Sequence, residues 1–255
     1  MNYTAIIAAR MGSRRCPGKQ LLPILGRPML ERMVERIRYS DRIGRIVIAT
    51  SDLLRDDILE EWARSMRVDC FRGSPDDVLG RIVAAAEAFD AELIAELLGD
   101  NPLVHSDLIE DVIDFFEKGG FDFASNATAE YPHTPPDCRC FPIGIRVQVF
   151  PLEVIARSAQ LTDDPRHREH STTLIAERPD LFKLGYMEAA GRWTELARPN
   201  LTFAVNHREN YELVRAIFES CYPNSPNFDL CEVVRTFDAH SELAPLMGPQ
   251  PRPSP

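Results

Sequence analysis

Ala8-Ala9-Arg10-Met11-Gly12-Ser13-Arg14-Arg15-Cys16-Pro17-Gly18-Lys19 is the stretch on which the reading of this sequence turns. The apolar run Tyr3 to Ala8 in front of it has the composition of a strand, so these residues begin where a first β-strand ends. In open α/β sheets that edge is where ligands bind. Four cations, Arg10, Arg14, Arg15 and Lys19, fall within ten residues of a chain whose formal net charge is -10. Gly12 and Gly18 permit turns that present backbone N–H groups to an anion. Arginine forks suit phosphate oxygens, and the lysine adds a mobile point charge. Charge, turns and position together describe a triphosphate cradle. It is not a Walker A loop: five residues separate Gly12 from Gly18 where four are needed, and Gln20 follows Lys19 where a metal-binding hydroxyl belongs. No G-x-G-x-x-G follows the strand either, which argues against a dinucleotide dehydrogenase.

Outward from this loop, short apolar runs alternate with amphipathic helical patterns, the signature of βαβ units and a mainly parallel sheet. Strands are expected at Tyr3–Ala8, Arg45–Ala49, Val68–Phe71, Leu93–Leu98, Ile143–Phe150 and Leu201–Val205. Helices are expected at Pro28–Ile37, Asp56–Met66, Pro75–Phe89, Pro151–Ser158, Arg166–Arg178 and His207–Phe218, and one capped by Ser106 that reaches Phe116. The stretch from Asn126 to Arg139 reads as a loop. Five of the twenty prolines lie in the last twelve residues, so 244–255 is expected to be a disordered tail. The 255 residues, 44% hydrophobic and 27% charged, fit a single α/β domain over 1–243. An acidic chain has no field to draw in nucleic acid. No run of about 18 apolar residues implies a membrane span. The start Met1-Asn2-Tyr3-Thr4 lacks a basic n-region, so a cytoplasmic protein is expected. The six cysteines are scattered without a C-x-x-C pair and read as free thiols.

The run from Ala8 to Lys19 resembles the nucleotide loop of cytidylyltransferases that make CMP-activated sugar acids. It is most similar to the spore-coat polysaccharide biosynthesis branch, with the CMP-ketodeoxyoctulosonate and acylneuraminate enzymes as more distant relatives. The resemblance continues through Pro28-Met29-Leu30-Glu31-Arg32, Ile48-Ala49-Thr50-Ser51-Asp52, Phe71-Arg72-Gly73-Ser74-Pro75-Asp76-Asp77-Val78-Leu79, Leu98-Gly99-Asp100-Asn101-Pro102-Leu103 and Arg168-Glu169-His170-Ser171-Thr172. It implies an α/β three-layer sandwich with a mostly parallel, nucleotide-diphospho-sugar-transferase-like (Rossmann-like) sheet. An excursion over about 126–190 would shape the acceptor site and help form a homodimer.

What the resemblance implies for function is transfer of CMP from CTP to an acidic sugar, or to a phosphate or phosphonate acceptor, with release of pyrophosphate, for polysaccharide or glycoconjugate biosynthesis. Ala8, Ala9, Arg10, Gly12, Ser13, Arg15 and Lys19 match nucleotide-binding positions, with Arg10, Ser13, Arg15 and Lys19 on the triphosphate, and Arg72, Gly73, Ser74 and Asp77 match the loop near base and ribose. Arg10, Arg15, Lys19 and Asp100 would carry catalysis, the three cations by stabilising charge on the phosphoryl oxygens and Asp100 through the metal. Asp100 would hold Mg²⁺, and Arg146, Gln148, Arg168, Glu169 and His170 would bind the acceptor. The family carries a second metal-binding aspartate in a Val-Asp-Thr-Pro-Glu-Asp-like run. Here the run is Val205-Asn206-His207-Arg208-Glu209-Asn210, so Asn206 is a weak or water-mediated ligand at most. Two other readings stand beside this one. A nucleotide-sugar-dependent glycosyltransferase could share the sheet, although Gly99-Asp100-Asn101-Pro102 is not its D-x-D motif. A nucleotide-binding protein weakened in turnover by Asn206 is the other.

Overall fold

The computed structural model describes residues 2–130, 134, 135 and 137–248. The first half folds as the alternation of patterns requires. Strand β1 (Tyr3–Ala8) runs into the cationic loop, and a two-residue hairpin, β2 (Pro23–Ile24) and β3 (Arg27–Pro28), delivers the chain to helix α1 (Met29–Ile37). Then follow β4 (Ile43–Ser51), α2 (Asp57–Ser65), β5 (Asp69–Gly73), α3 (Val78–Ala88), β6 (Leu93–Leu98) and α4 (Ser106–Gly119). The second half supplies β7 (Phe123–Asn126), β8 (Gln148–Pro151), α5 (Leu152–Gln160), α6 (Pro165–Glu169), α7 (Thr173–Glu177), β9 (Leu184–Met187), α8 (Arg208–Cys221) and α9 (Leu230–Ala239).

Seven strands form one sheet in the order β5-β4-β1-β6-β8-β7-β9, with β8 antiparallel to both neighbours and the other pairs parallel. Successive strand residues point to opposite faces, so each strand feeds two cores. Ile7, Ile48 and Leu97 pack under α1, α2, α4, α8 and α9, while Ile6, Val47 and Phe150 pack under α3, α5 and α7. The result is the expected three-layer α/β sandwich. Among the described residues no helix is long and apolar enough to cross a membrane, and all six cysteines are free.

The second half departs from the sequence pattern in ways that matter for the site. The segment 126–190, expected as an excursion, adds β8 and β9 to the main sheet and lays α5 and α7 on its face. The expected helix Arg166–Arg178 is two short helices, α6 and α7. Ser171 Oγ donates to Glu96 Oε1 (2.5 Å) and Gln148 Nε2 donates to Thr172 Oγ1 (2.6 Å). Those two bonds to the sheet interrupt the helix at His170–Thr172. The expected strand Ile143–Phe150 is regular only over β8, and Leu201–Val205 is a buried extended segment bridged to Ile143 through Thr202, not a strand of the sheet. Gly144 makes that contact feasible: at φ 96 a Cβ would lie 2.1 Å from the Ala204 nitrogen. His105, not Ser106, caps α4, its Nδ1 accepting from the Asp107 N–H at 3.1 Å. Helix α3 starts at Val78 because Asp77 caps it, accepting from Gly80 N–H at 2.7 Å. The first residues of the expected tail 244–255 are built into the fold. Ser241–Met247 is a 3-10 helix whose Leu243 is buried and whose Met247 carbonyl accepts from Asn210 Nδ2 (2.7 Å). Residues 249–255 lie outside the described residues.

Candidate active site

The cationic loop leaves β1 at the carboxyl edge of the sheet and closes on itself, Gly18 N–H donating to the Met11 carbonyl at 3.3 Å. Gly18 takes the left-handed conformation (φ 69) that this closure needs. Asp56, buried ahead of α2, accepts from Met11 N–H at 2.6 Å and is held in turn by Ser51 Oγ. Ser13 Oγ accepts from Cys16 N–H at 3.2 Å, which sets the turn carrying Arg14 and Arg15 into solvent. The loop is therefore anchored at both ends while its arginines stay exposed. That is an arrangement suited to a polyanion.

Asp100 follows β6 at the same edge. Its carboxylate meets Lys19 Nζ at 2.9 Å, and Lys19 also donates to the Val205 carbonyl at 2.8 Å. The Asp100 carbonyl accepts from Val205 N–H at 2.8 Å, which brings Asn206 alongside, and Arg15 reaches Asn206 Oδ1 at 3.1 Å. Arg36 fixes the next turn from below: fully buried, it donates to the carbonyls of Val104 (3.0 Å), Leu103 (3.3 Å) and Phe228 (3.0 Å). Burial pushes its pKa down to about 9. Lys19, Asp100, Arg15 and Asn206, spread over nearly two hundred residues of sequence, thus converge at one point.

The remaining expected site residues divide. Arg10 lies between the two sides, donating to Pro75 O (3.2 Å) and pairing with Glu169 of α6 (3.3 Å). Ser74 Oγ accepts from the Asp76 and Asp77 N–H groups and shapes the turn into α3. Arg72 instead faces α2 and the preceding loop, meeting Asp57 (2.6 Å), Glu60 (3.0 Å), Ser51 O and Leu53 O. Arg168 holds the α5–α6 turn through Ala159 O and Thr162 O, both at 2.7 Å, and meets Asp77 at 3.3 Å. Those partners make Arg72 and Arg168 supports for the loops they join. Glu169 and His170 are exposed on α6 and its end, Arg146 is buried with Glu130 3.5 Å away, and Gln148 is buried under Thr172.

Three groups escaped the sequence reading. Arg55, in the 3-10 turn before α2, lays its guanidinium against Gly12, where a Cβ would sit 2.8 Å from Cζ. Arg81 of α3 is buried and donates to Ser74 O at 2.5 Å; burial, with Arg10 nearby, lowers its pKa. Glu96 is fully buried on β6, and desolvation raises its pKa against the pull of Ser171, Arg146 and Arg81. A charged residue inside an apolar strand, Glu96 in Leu93-Ile94-Ala95-Glu96-Leu97-Leu98, was the signal available.

With this geometry in view, the comparisons are specific. Residues 4–134 match a family model described as cytidylyltransferase. The spore coat polysaccharide biosynthesis protein SpsF of Bacillus subtilis is 32% identical over 247 residues, covering 94% of this chain and 95% of that protein. The 8-amino-3,8-dideoxy-manno-octulosonate cytidylyltransferase of Shewanella loihica is 34% identical over 135 residues, 52% of this chain and 55% of the relative. The solved structure of a cytidylyltransferase from Leptospira borgpetersenii superposes with a TM-score of 0.84 at 25% identity, covering 99% of both chains. The chain belongs to the cytidylyltransferase family and is a nucleotidyltransferase.

Proposed function

We propose that the protein transfers CMP from CTP to a sugar-acid hydroxyl, releasing pyrophosphate, in the supply of activated sugars for a surface polysaccharide. The observation that carries this reading is the convergence of the anchored cationic loop with Asp100 and Asn206 at the carboxyl edge of β1 and β6. In such a displacement the protein has little covalent chemistry to perform; it positions the reactants and stabilises charge on phosphoryl oxygens. Arg10, Arg15 and the N–H groups of the Met11–Gly18 loop would hold the triphosphate and the departing pyrophosphate. Lys19, already bonded to Asp100 and Val205 O, orients the Asp100 carboxylate. Mg²⁺ takes six oxygens and is commonly bound through one or two carboxylates plus substrate phosphates. Asp100 and the Asn206 amide oxygen fit that pattern, and no group of three His, Cys, Asp or Glu among the described residues makes an all-protein cage. The metal, when bound there, would polarise the phosphate. The acceptor would lie over the β8–β7–β9 side of the sheet.

The test is a pyrophosphate-release screen of four nucleoside triphosphates against sugar acids, sugar phosphates and phosphonates. 3-Deoxy-manno-octulosonate and 8-amino-3,8-dideoxy-manno-octulosonate are the first acceptors to include. CTP-dependent release with a sugar acid is expected. CTP binding without release across the whole panel would instead favour a nucleotide-binding protein.

A further inference from the structure

The pairing registers place four polar side chains in one row across the acceptor half of the sheet. Glu96 on β6 lies opposite Gln148 on β8, Gln148 opposite Ser125 on β7, and Ser125 beside Tyr186 on β9. The row continues from Ile6 and Val47, which face the core under α3 and α5, so it points to the same face. Polar residues at core-facing positions of a sheet need partners. Ser171 serves Glu96 and Thr172 serves Gln148. At the end of the row the Tyr186 hydroxyl is buried, yet it has no hydrogen-bond partner among the described residues. Burial pushes its pKa up to about 12, so it stays a neutral donor.

Tyr186 lines a narrow pocket together with Phe123, Ser125, Asn126, Gln148 and Thr172. No charged side chain among the described residues lines it. Ser125 and Asn126 put the pocket at the carboxyl end of β7, on the side proposed above for the acceptor. A charged group of a ligand would find no counterion here, whereas an uncharged oxygen would find a ready donor. We infer that Tyr186 is a specificity-determining residue that donates a hydrogen bond to an uncharged oxygen, a hydroxyl or an amide carbonyl, on the body of the sugar-acid acceptor. This rests on the acceptor reading above and extends it: the acid group is held elsewhere, and the β7–β9 pocket reads a neutral substituent.

Tyr186→Phe keeps the ring and removes only the hydroxyl. A buried donor without a protein partner costs stability, so the ligand-free variant should melt at the same temperature as the wild type or higher. A fall of several degrees would mean that the hydroxyl serves the fold, and would overturn the inference. Binding is then read by ligand-detected NMR without nucleotide, with 3-deoxy-manno-octulosonate and 8-amino-3,8-dideoxy-manno-octulosonate as probes. The wild type should bind at least one of them, and Tyr186→Phe should bind it about five- to tenfold more weakly, while calorimetry shows CTP affinity unchanged. Equal sugar affinity in the two proteins, or no binding of either probe to the wild type, overturns the assignment. Because no turnover is involved, a wild type that binds the sugar acid but releases no pyrophosphate would sink the transferase reading and leave the pocket standing.

Discussion

The two halves of the sheet meet at β6 and solve different problems. On the β5-β4-β1-β6 side the functional groups are charged, and three of the four loop cations already have a protein partner: Lys19 has Asp100, Arg15 has Asn206, and Arg10 has Glu169. On the β8-β7-β9 side the row across the sheet is buried and mostly neutral, and it ends in a hydroxyl without a hydrogen-bond partner among the described residues. Exposed ion pairs such as Arg10–Glu169, with side chains 41% and 57% accessible, are worth little and exchange readily for a phosphate. A triphosphate can therefore be met by exchanging pairs that the loop arginines already make. A neutral acceptor group has no such charge to trade, and it must be recognised by donors kept in place by packing.

The contrast can be broken most directly at Asp100. If the charged half works by fixed electrostatics, Asp100→Asn should lower kcat at saturating CTP and Mg²⁺ by about 100-fold or more. A variant that keeps full activity would remove Asp100 from the chemistry. Arg168 tests the border between the halves, because it ties α6 to Asp77 while holding two carbonyls of the α5–α6 turn. Arg168→Ala should cost about 1–2 kcal/mol of stability. It should also raise the acceptor KM about tenfold, well beyond its effect on the KM for CTP. Equal changes in both constants would place α6 on the nucleotide side. Asn206→Asp is a milder change. A second carboxylate beside Asp100 should lower the Mg²⁺ concentration for half-maximal rate about threefold or more. An unchanged metal requirement in an active wild type would show that Asn206 costs the site nothing.

The same contrast explains what could be read from the chain. The nucleotide half is written in contiguous words: Ala8 to Lys19 follows a strand whose apolar run is plain, and Gly99-Asp100-Asn101 ends another. Local spacing alone carried their placement to the sheet edge. The acceptor half depends on registers between segments far apart in sequence. Ser125 and Tyr186 become neighbours only because β7 and β9 pair, and each strand is four residues long, too short for its alternation to stand out. The break between α6 and α7 was invisible because its cause, Glu96, sits 75 residues upstream. Arg166–Arg178 has helical composition throughout, and tertiary hydrogen bonds override it. Arg55 and Arg81 were missed for a related reason: a single arginine, before a helix or within one, carries no local signal until the fold turns it toward the loop.

Two carboxylates extend the comparison to pH, with the smallest expected effect. Glu177 on α7 is held down to about 2, chiefly by its hydrogen bond from Arg166, with His167 adding to the pull. A depressed acid contributes stability that is present above its ordinary 4.5 and lost as pH falls from there toward 2. Glu96 behaves in the opposite sense. Burial raises its pKa, so the folded state favours its protonated form; that contribution is intact below 4.5 and declines as pH rises above it. Melting temperatures of the wild type, Glu177→Gln and Glu96→Gln between pH 2.5 and 7 should therefore diverge in opposite directions. The wild type should exceed Glu177→Gln near neutrality, and the gap should close in acid, though modestly, since this ion pair is in contact with solvent. Glu96→Gln should gain on the wild type as pH rises, because the amide keeps an oxygen for Ser171 and never ionises. Parallel curves for the wild type and Glu96→Gln would show that Glu96 is fully compensated as an anion by Arg146 and Arg81. The acceptor floor would then be ionic, and the division drawn between the two halves of the sheet would fail at its midpoint.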